Sequence, residues 1–76
     1  MIKHKIDIMQ ALKDNGYTSY KLRQEKIFGE ATMTKFRKKE YFNFENLDIL
    51  CSLLNCQPGD IIEYVPDTPV DNQQKN

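Results

Sequence analysis

Between Asn43 and Asn55 the apolar residues Phe44, Leu47, Leu50, Cys51 and Leu54 follow one another at steps of 3, 3, 1 and 3. That spacing draws an amphipathic stripe down one side of an α-helix. Asn43 and Asn46 offer caps at its start and Asn55-Cys56 breaks it. It is the best-defined element of a chain of 76 residues, a length that closes one core and not two. Hydrophobic residues make up 39%, with four Phe and four Tyr, which suffices for a compact core.

Shorter elements precede the stripe. Asp7 can cap a first helix, Ile8 to Asn15, in which Ile8, Met9 and Leu12 share a face before Asn15-Gly16 stops it. Thr18 or Ser19 caps a second helix through Lys26, with Leu22 inward and Lys21, Arg23 and Lys26 toward water. Ile27-Phe28-Gly29 reads as a turn. A third helix runs from about Glu30 to Lys38, with Met33 and Phe36 buried and Thr34, Lys35 and Lys38 on the other side. Helices two and three are too short and too polar to stand alone. Lys39 to Phe42 is a loop ahead of the fourth helix.

Beyond the stripe, Gln57-Pro58-Gly59-Asp60 starts a fifth short helix, Pro58 being suited to a first helical turn. Ile61, Ile62, Tyr64 and Val65 follow. Residues 66–76 hold two prolines, four Asn or Gln and a single aliphatic, so a disordered tail is expected after a domain over residues 1–65. Ile2-Lys3-His4-Lys5-Ile6 alternates at period two and is expected to pair as a short strand with Glu63-Tyr64-Val65. The expected fold class is all-α, five helices with a short terminal β pairing.

Eleven Lys and Arg balance eleven Asp and Glu to a formal net charge of zero, which excludes a uniformly basic coat. The balance hides a partition. Residues 1–19 carry +1, residues 20–43 carry +4, and residues 44–76 carry −5. The basic part coincides with helices two and three, which suits a polyanion, while the acidic part keeps the rest of the surface off it.

Several classes fall away. No Gly-rich phosphate loop, no nucleophile with a base and no carboxylate cluster with histidine is present, so an enzyme is not expected. Cys51 and Cys56 are five apart with no further ligands for zinc, and the single histidine, His4, reads as a solvated side chain. No metal, cofactor or small-molecule effector is expected. No apolar run approaches the roughly 18 residues of a membrane helix, and the first residues lack the apolar stretch of a signal peptide, so a cytoplasmic protein is expected.

The runs Tyr17-Thr18-Ser19-Tyr20-Lys21-Leu22-Arg23, Glu30-Ala31-Thr32-Met33-Thr34-Lys35-Phe36-Arg37 and Leu53-Leu54-Asn55-Cys56-Gln57-Pro58-Gly59-Asp60-Ile61-Ile62 resemble the phage-repressor-like Cro/CI (XRE) helix-turn-helix regulators. The likeness is greatest to the small stand-alone bacterial members and covers about residues 6–65. The resemblance implies a five-helix lambda-repressor-like DNA-binding domain whose second helix rests on phosphates and whose third reads bases in the major groove. It places Thr18, Ser19 and Tyr20 on the phosphate backbone and Glu30, Ala31, Thr34 and Lys35 at base edges. Lys38 and Lys39 would hold the backbone just past the helix. By chemistry, Lys35 can donate to guanine O6 and N7, Glu30 can accept from cytosine N4, and Ala31 can touch a thymine methyl. Arg23, Lys26, Ile27 and Gly29 depart from the family's usual small, apolar, glycine and Ser/Thr residues at those positions.

The function so implied is a sequence-specific DNA-binding transcriptional regulator, a repressor acting as a homodimer on double-stranded DNA. Its expected dimer contacts are Ile61, Ile62, Tyr64 and Val65. The alternative class is a protein-interaction module, such as an antitoxin-like or regulatory subunit, that uses the same C-terminal apolar residues without DNA. Salt separates the two: four neutralised phosphates give a log-log slope of roughly −3.6, and an apolar interface gives almost none.

Overall fold

The computed structural model describes residues 1–66. In chain order they form β1 (Ile2–His4), α1 (Ile8–Asp14), α2 (Ser19–Gln24), α3 (Glu30–Lys38), α4 (Phe44–Leu54), one 3-10 turn (Pro58–Asp60) and β2 (Ile62–Tyr64). The domain is thus mostly helical, with four α-helices and a two-stranded sheet. The tail expected over residues 66–76 lies, but for Pro66, outside the described residues. No helix among the described residues is long and apolar enough to cross a membrane.

Side-chain caps start three of the helices. Asp7 Oδ1 accepts from the Gln10 N–H at 3.2 Å, Thr18 Oγ1 from Lys21 at 3.2 Å, and Asn43 Oδ1 from Asn46 at 2.8 Å. Each such cap contributes about 1 kcal/mol. Gly29 starts α3 with no side-chain bond.

The four helices end alike. One residue turns left-handed, at Gly16 (φ 88), Lys26 (φ 56), Lys39 (φ 58) and Asn55 (φ 52). The N–H of the next residue then reaches back five positions: Tyr17 to Leu12 at 2.8 Å, Ile27 to Leu22 at 2.9 Å, Glu40 to Lys35 at 2.9 Å and Cys56 to Cys51 at 3.0 Å. These bonds satisfy carbonyls that a helix end leaves open. They also correct one expectation: the second helix stops at Gln24 rather than Lys26, and Lys26 is the left-handed residue of the turn. Ile27 instead leans its side chain on the core.

The core is Ile8, Leu12, Leu22, Phe28, Met33, Phe36, Leu47, Leu50 and Ile61, drawn from α1, α2, the turn, α3, α4 and the chain before β2. Phe36 sits at its centre of aromatic contacts, edge-on to Phe28 at 5.0 Å and to Phe42 at 5.1 Å, and Phe42 in turn meets His4 at 5.4 Å. His4 is therefore half-buried against an aromatic neighbour rather than solvated. Phe44, assigned to the apolar stripe, is 86% exposed. It is the first residue of α4, and the core contacts of that helix begin at Leu47. Cys51 and Cys56 are free and half-buried. Burial pushes the Cys56 thiol above its ordinary value, with Cys51 and Asp60 adding to the shift.

The expected terminal pairing is present with shorter spans. β1 and β2 run antiparallel with Ile2 opposite Tyr64, Lys3 opposite Glu63 and His4 opposite Ile62. Single bonds extend it, from Val65 N–H to Met1 O at 2.8 Å and from Lys5 N–H to Ile61 O at 2.7 Å. This pairing explains why the fifth helix is absent. Residues that would continue it beyond Asp60 are taken by β2, so the segment closes as one 3-10 turn, with Asp60 accepting from the Gln57 N–H at 3.0 Å.

Candidate nucleic-acid interface

Met33 and Phe36 hold α3 on the core by one side, which dictates what its other side presents. At 100° per residue, Ala31, Thr34, Lys35 and Lys38 fall opposite that pair, and Glu30 and Arg37 continue the same face along its flank beside Met33. All are exposed except Thr34, which is half-buried. The four residues expected at base edges therefore share one outward face, and Lys38 lies on it one turn past Thr34. Lys39 follows in the left-handed conformation that ends the helix.

Two anchors fix the far end of α3 to the sheet. His4 Nε2 lies 2.8 Å from the Glu40 carbonyl, and the Ile2 N–H donates to the Tyr41 hydroxyl at 3.2 Å. The N-terminal strand thereby supports the exit of the helix from 36 to 39 positions away. Met33 and Phe36 secure its body, and the turn residues Ile27 and Phe28 secure its entry.

At the start of α2, Thr18, Ser19 and Tyr20 line a cleft of about 420 Å³ together with Asp7, with Met9, Gln10 and Lys13 of α1, and with Arg37 of α3. The Thr18 hydroxyl oxygen caps α2, which leaves its O–H free to donate; Tyr20 is exposed and Ser19 is half-buried. Lys21 Nζ sits 5.1 Å from the centre of the Tyr17 ring. Arg37 and Lys13 belong to this cleft although no motif position marks them. The available signal for Arg37 was its spacing of seven from Glu30, two helical turns along one face.

Glu30 is not free. Its Oε1 accepts from Arg23 Nη1 at 2.7 Å and its Oε2 lies 3.9 Å from Arg37 Nη1. Arg23, which departs from the family's usual small residue, thus has a partner across the turn. The carboxylate that would repel phosphate is offset by two guanidinium groups. Among the C-terminal residues expected at a dimer contact, Tyr64 is exposed and Ile62 and Val65 are half-buried. Ile61 is corrected: it is fully buried in the core and unavailable to a partner. Among the described residues no three His, Cys, Asp or Glu side chains gather to hold a metal ion.

Two short helices joined by a fixed turn, the second exposing a basic and polar face, define a helix-turn-helix module of the kind that lays its second helix in a DNA groove. Residues 7–67 match the model of the Cro/C1-type HTH DNA-binding domain. The chain belongs to that family. It is also 32% identical over 62 residues to the uncharacterized HTH-type transcriptional regulator YozG of Bacillus subtilis (strain 168), spanning 82% of this chain and 74% of that protein. No solved structure gives a significant match. The family is a class of DNA-binding regulators and not of enzymes, and it does not favour the protein-interaction alternative.

Proposed function

We propose that this DNA-binding transcription regulator recognises a specific duplex sequence through the exposed face of α3 and represses transcription by occupying its site. Lys35 donates to guanine O6 and N7, Ala31 meets a thymine methyl, and Thr34 bonds to a neighbouring base edge. Glu30 accepts from a cytosine amino group in competition with Arg23. Thr18, Ser19 and Tyr20 hold one stretch of backbone, and Lys38 and Lys39 another. The protein works in the cytoplasm as a homodimer on half-sites about one helical turn apart, because one nine-residue helix reaches only a few base pairs. Residues 1–65 form the working domain.

The observation that supports this reading best is the single outward face of α3 that carries Glu30, Ala31, Thr34, Lys35 and Lys38 together. The +4 charge of residues 20–43 supports it as well. A net charge of zero over the whole chain keeps non-specific affinity modest, so base contacts and subunit pairing carry the selectivity. Selection of bound duplexes from a random library, followed by a salt titration of the winner, is the test. An enriched motif with a log-log slope near −3.6 for about four phosphates is expected. No enrichment would overturn the reading.

A further inference from the structure

Each of the four helices closes with a bond from one N–H to the carbonyl five positions before it, a geometry that brings the two side chains together. At the end of α1 they are Leu12 and Tyr17, and at the end of α2 Leu22 and Ile27. All four lie in the core or pack against it. At the end of α3 they are Lys35 and Glu40, of opposite charge. The residue types are matched each time. At the end of α4 they are Cys51 and Cys56, the two cysteines of the chain.

The Cys56 N–H reaches the Cys51 carbonyl at 3.0 Å. With standard backbone lengths, that bond holds the two Cα atoms no more than about 6.9 Å apart. Two cysteines can be bridged without backbone movement up to about 7 Å. Both thiols are free, and both line one cleft of about 310 Å³ between α4 and the 3-10 turn, with Leu47, Asp48 and Pro58 among its walls. Cys51 also adds to the upward shift of the Cys56 thiol, which marks the two sulfurs as neighbours.

We propose that Cys51 and Cys56 form a reversible modification site, at which a low-molecular-weight disulfide is reduced and an internal disulfide is made. One cysteine thiolate attacks a sulfur of the small disulfide, forming a mixed disulfide and expelling one small thiolate. The other cysteine thiolate then attacks the protein sulfur of that mixed disulfide and expels the second small thiolate. The two protein thiols thus give up two electrons, and their two protons end on the two small thiols released. The product carries no charge, which suits its place. Burial, Cys51 and Asp60 all disfavour a thiolate at Cys56, so a soft metal ion, which takes its ligands as thiolates, is the poorer occupant.

None of the residues assigned to the duplex lines this cleft. The bond acts instead on the chain that leaves α4 through the left-handed Asn55 and the 3-10 turn toward Ile61 and β2. It fixes the closed form of that helix end and takes conformational freedom from the unfolded chain.

The test equilibrates the reduced full chain at pH 8, without oxygen, in buffers of graded glutathione to glutathione disulfide ratio, then quenches with acid and reads the intact mass. Wild type should become lighter by two hydrogens, resist iodoacetamide, show no covalent dimer and return to the reduced mass with dithiothreitol. Cys51→Ser and Cys56→Ser should stop at the mixed disulfide. Because the fold holds the pair together, half oxidation should need at least about tenfold less glutathione disulfide in the native chain than in concentrated urea. The oxidised chain should melt about 5–10 °C above the reduced one. If either serine variant fails to fold, the wild-type masses and the urea comparison decide. A wild type that stays reduced, stops at a glutathione adduct or links into covalent dimers would overturn the proposal. So would equal oxidation in urea, or a Tm that does not rise on oxidation.

Discussion

The Arg23 guanidinium of α2 donates to the Glu30 carboxylate at 2.7 Å, tying the first residue of α3 to the helix before it. Arg37 approaches the same carboxylate from the next two turns of α3. All three side chains are partly exposed, and such pairs contribute about 0.5 kcal/mol or less. Glu30→Gln should therefore lower Tm by less than about 4 °C. Removing its negative charge should tighten binding to non-cognate duplexes several-fold at low salt. A melt and a fluorescence titration check this, and weaker non-cognate binding would contradict it.

Lys35 and the Lys38–Lys39 pair should separate cleanly. Lys35→Ala is expected to change preference at one base position, costing about 1–3 kcal/mol there. Lys38→Ala with Lys39→Ala should weaken all duplexes alike and flatten the salt slope by about two. If the double variant binds at low salt as tightly as wild type, these lysines do not touch the backbone.

The two lysines that end α2 and α3 adopt the left-handed conformation, which costs a residue with a Cβ about 1–2 kcal/mol. Lys26→Gly should relieve most of it and raise Tm by about 4–8 °C. Lys39→Gly should stabilise to a similar degree while losing affinity for duplex DNA. Calorimetry of both variants distinguishes the shared gain from the separate loss.

Phe36 touches both Phe28 and Phe42 and is 1% exposed. Phe36→Ala removes the hub that joins the turn to the α3–α4 loop. A cost of about 3–5 kcal/mol is expected, a large fraction of what a domain of this size has. Urea denaturation should show a midpoint near or below zero denaturant for this variant, and a loss under about 1 kcal/mol would remove Phe36 from its central place.

The thiolate is the reactive form of cysteine, and burial beside Cys51 and Asp60 pushes the Cys56 thiol upward. At pH 8 Cys56 should thus hold less thiolate than an unperturbed cysteine and alkylate more slowly with iodoacetamide. Its labelling should accelerate as pH rises past the ordinary thiol range. Mass spectrometry of the peptide after timed labelling provides the rate.

What could be read from the sequence were the features carried by neighbours along the chain. Asp7, Thr18 and Asn43 cap helices because each bonds an N–H three residues on. Met33 and Phe36 face the core because three residues make most of a turn. Those local facts also imply the outward face of α3, and with it most of the candidate interface. The strand pairing was visible in the alternation of Ile2 to Ile6, although its register was not.

Only the tertiary structure decided the rest, since it depends on residues far apart. A fifth helix was a sound local expectation for Pro58 onward, but Ile62–Tyr64 gain a partner strand some sixty positions away, and the ladder outweighs a helix too short to stand alone. Ile61 and Phe44 look equally apolar on paper. One is fully buried and the other 86% exposed, because the core closes around the chain entering β2 and stops short of the first turn of α4. The sequence by itself determined the first four helices, the caps at Asp7, Thr18 and Asn43 and the outward face of α3; where the second helix ends, the strand that replaces a fifth, and which apolar surface stays exposed were settled by packing.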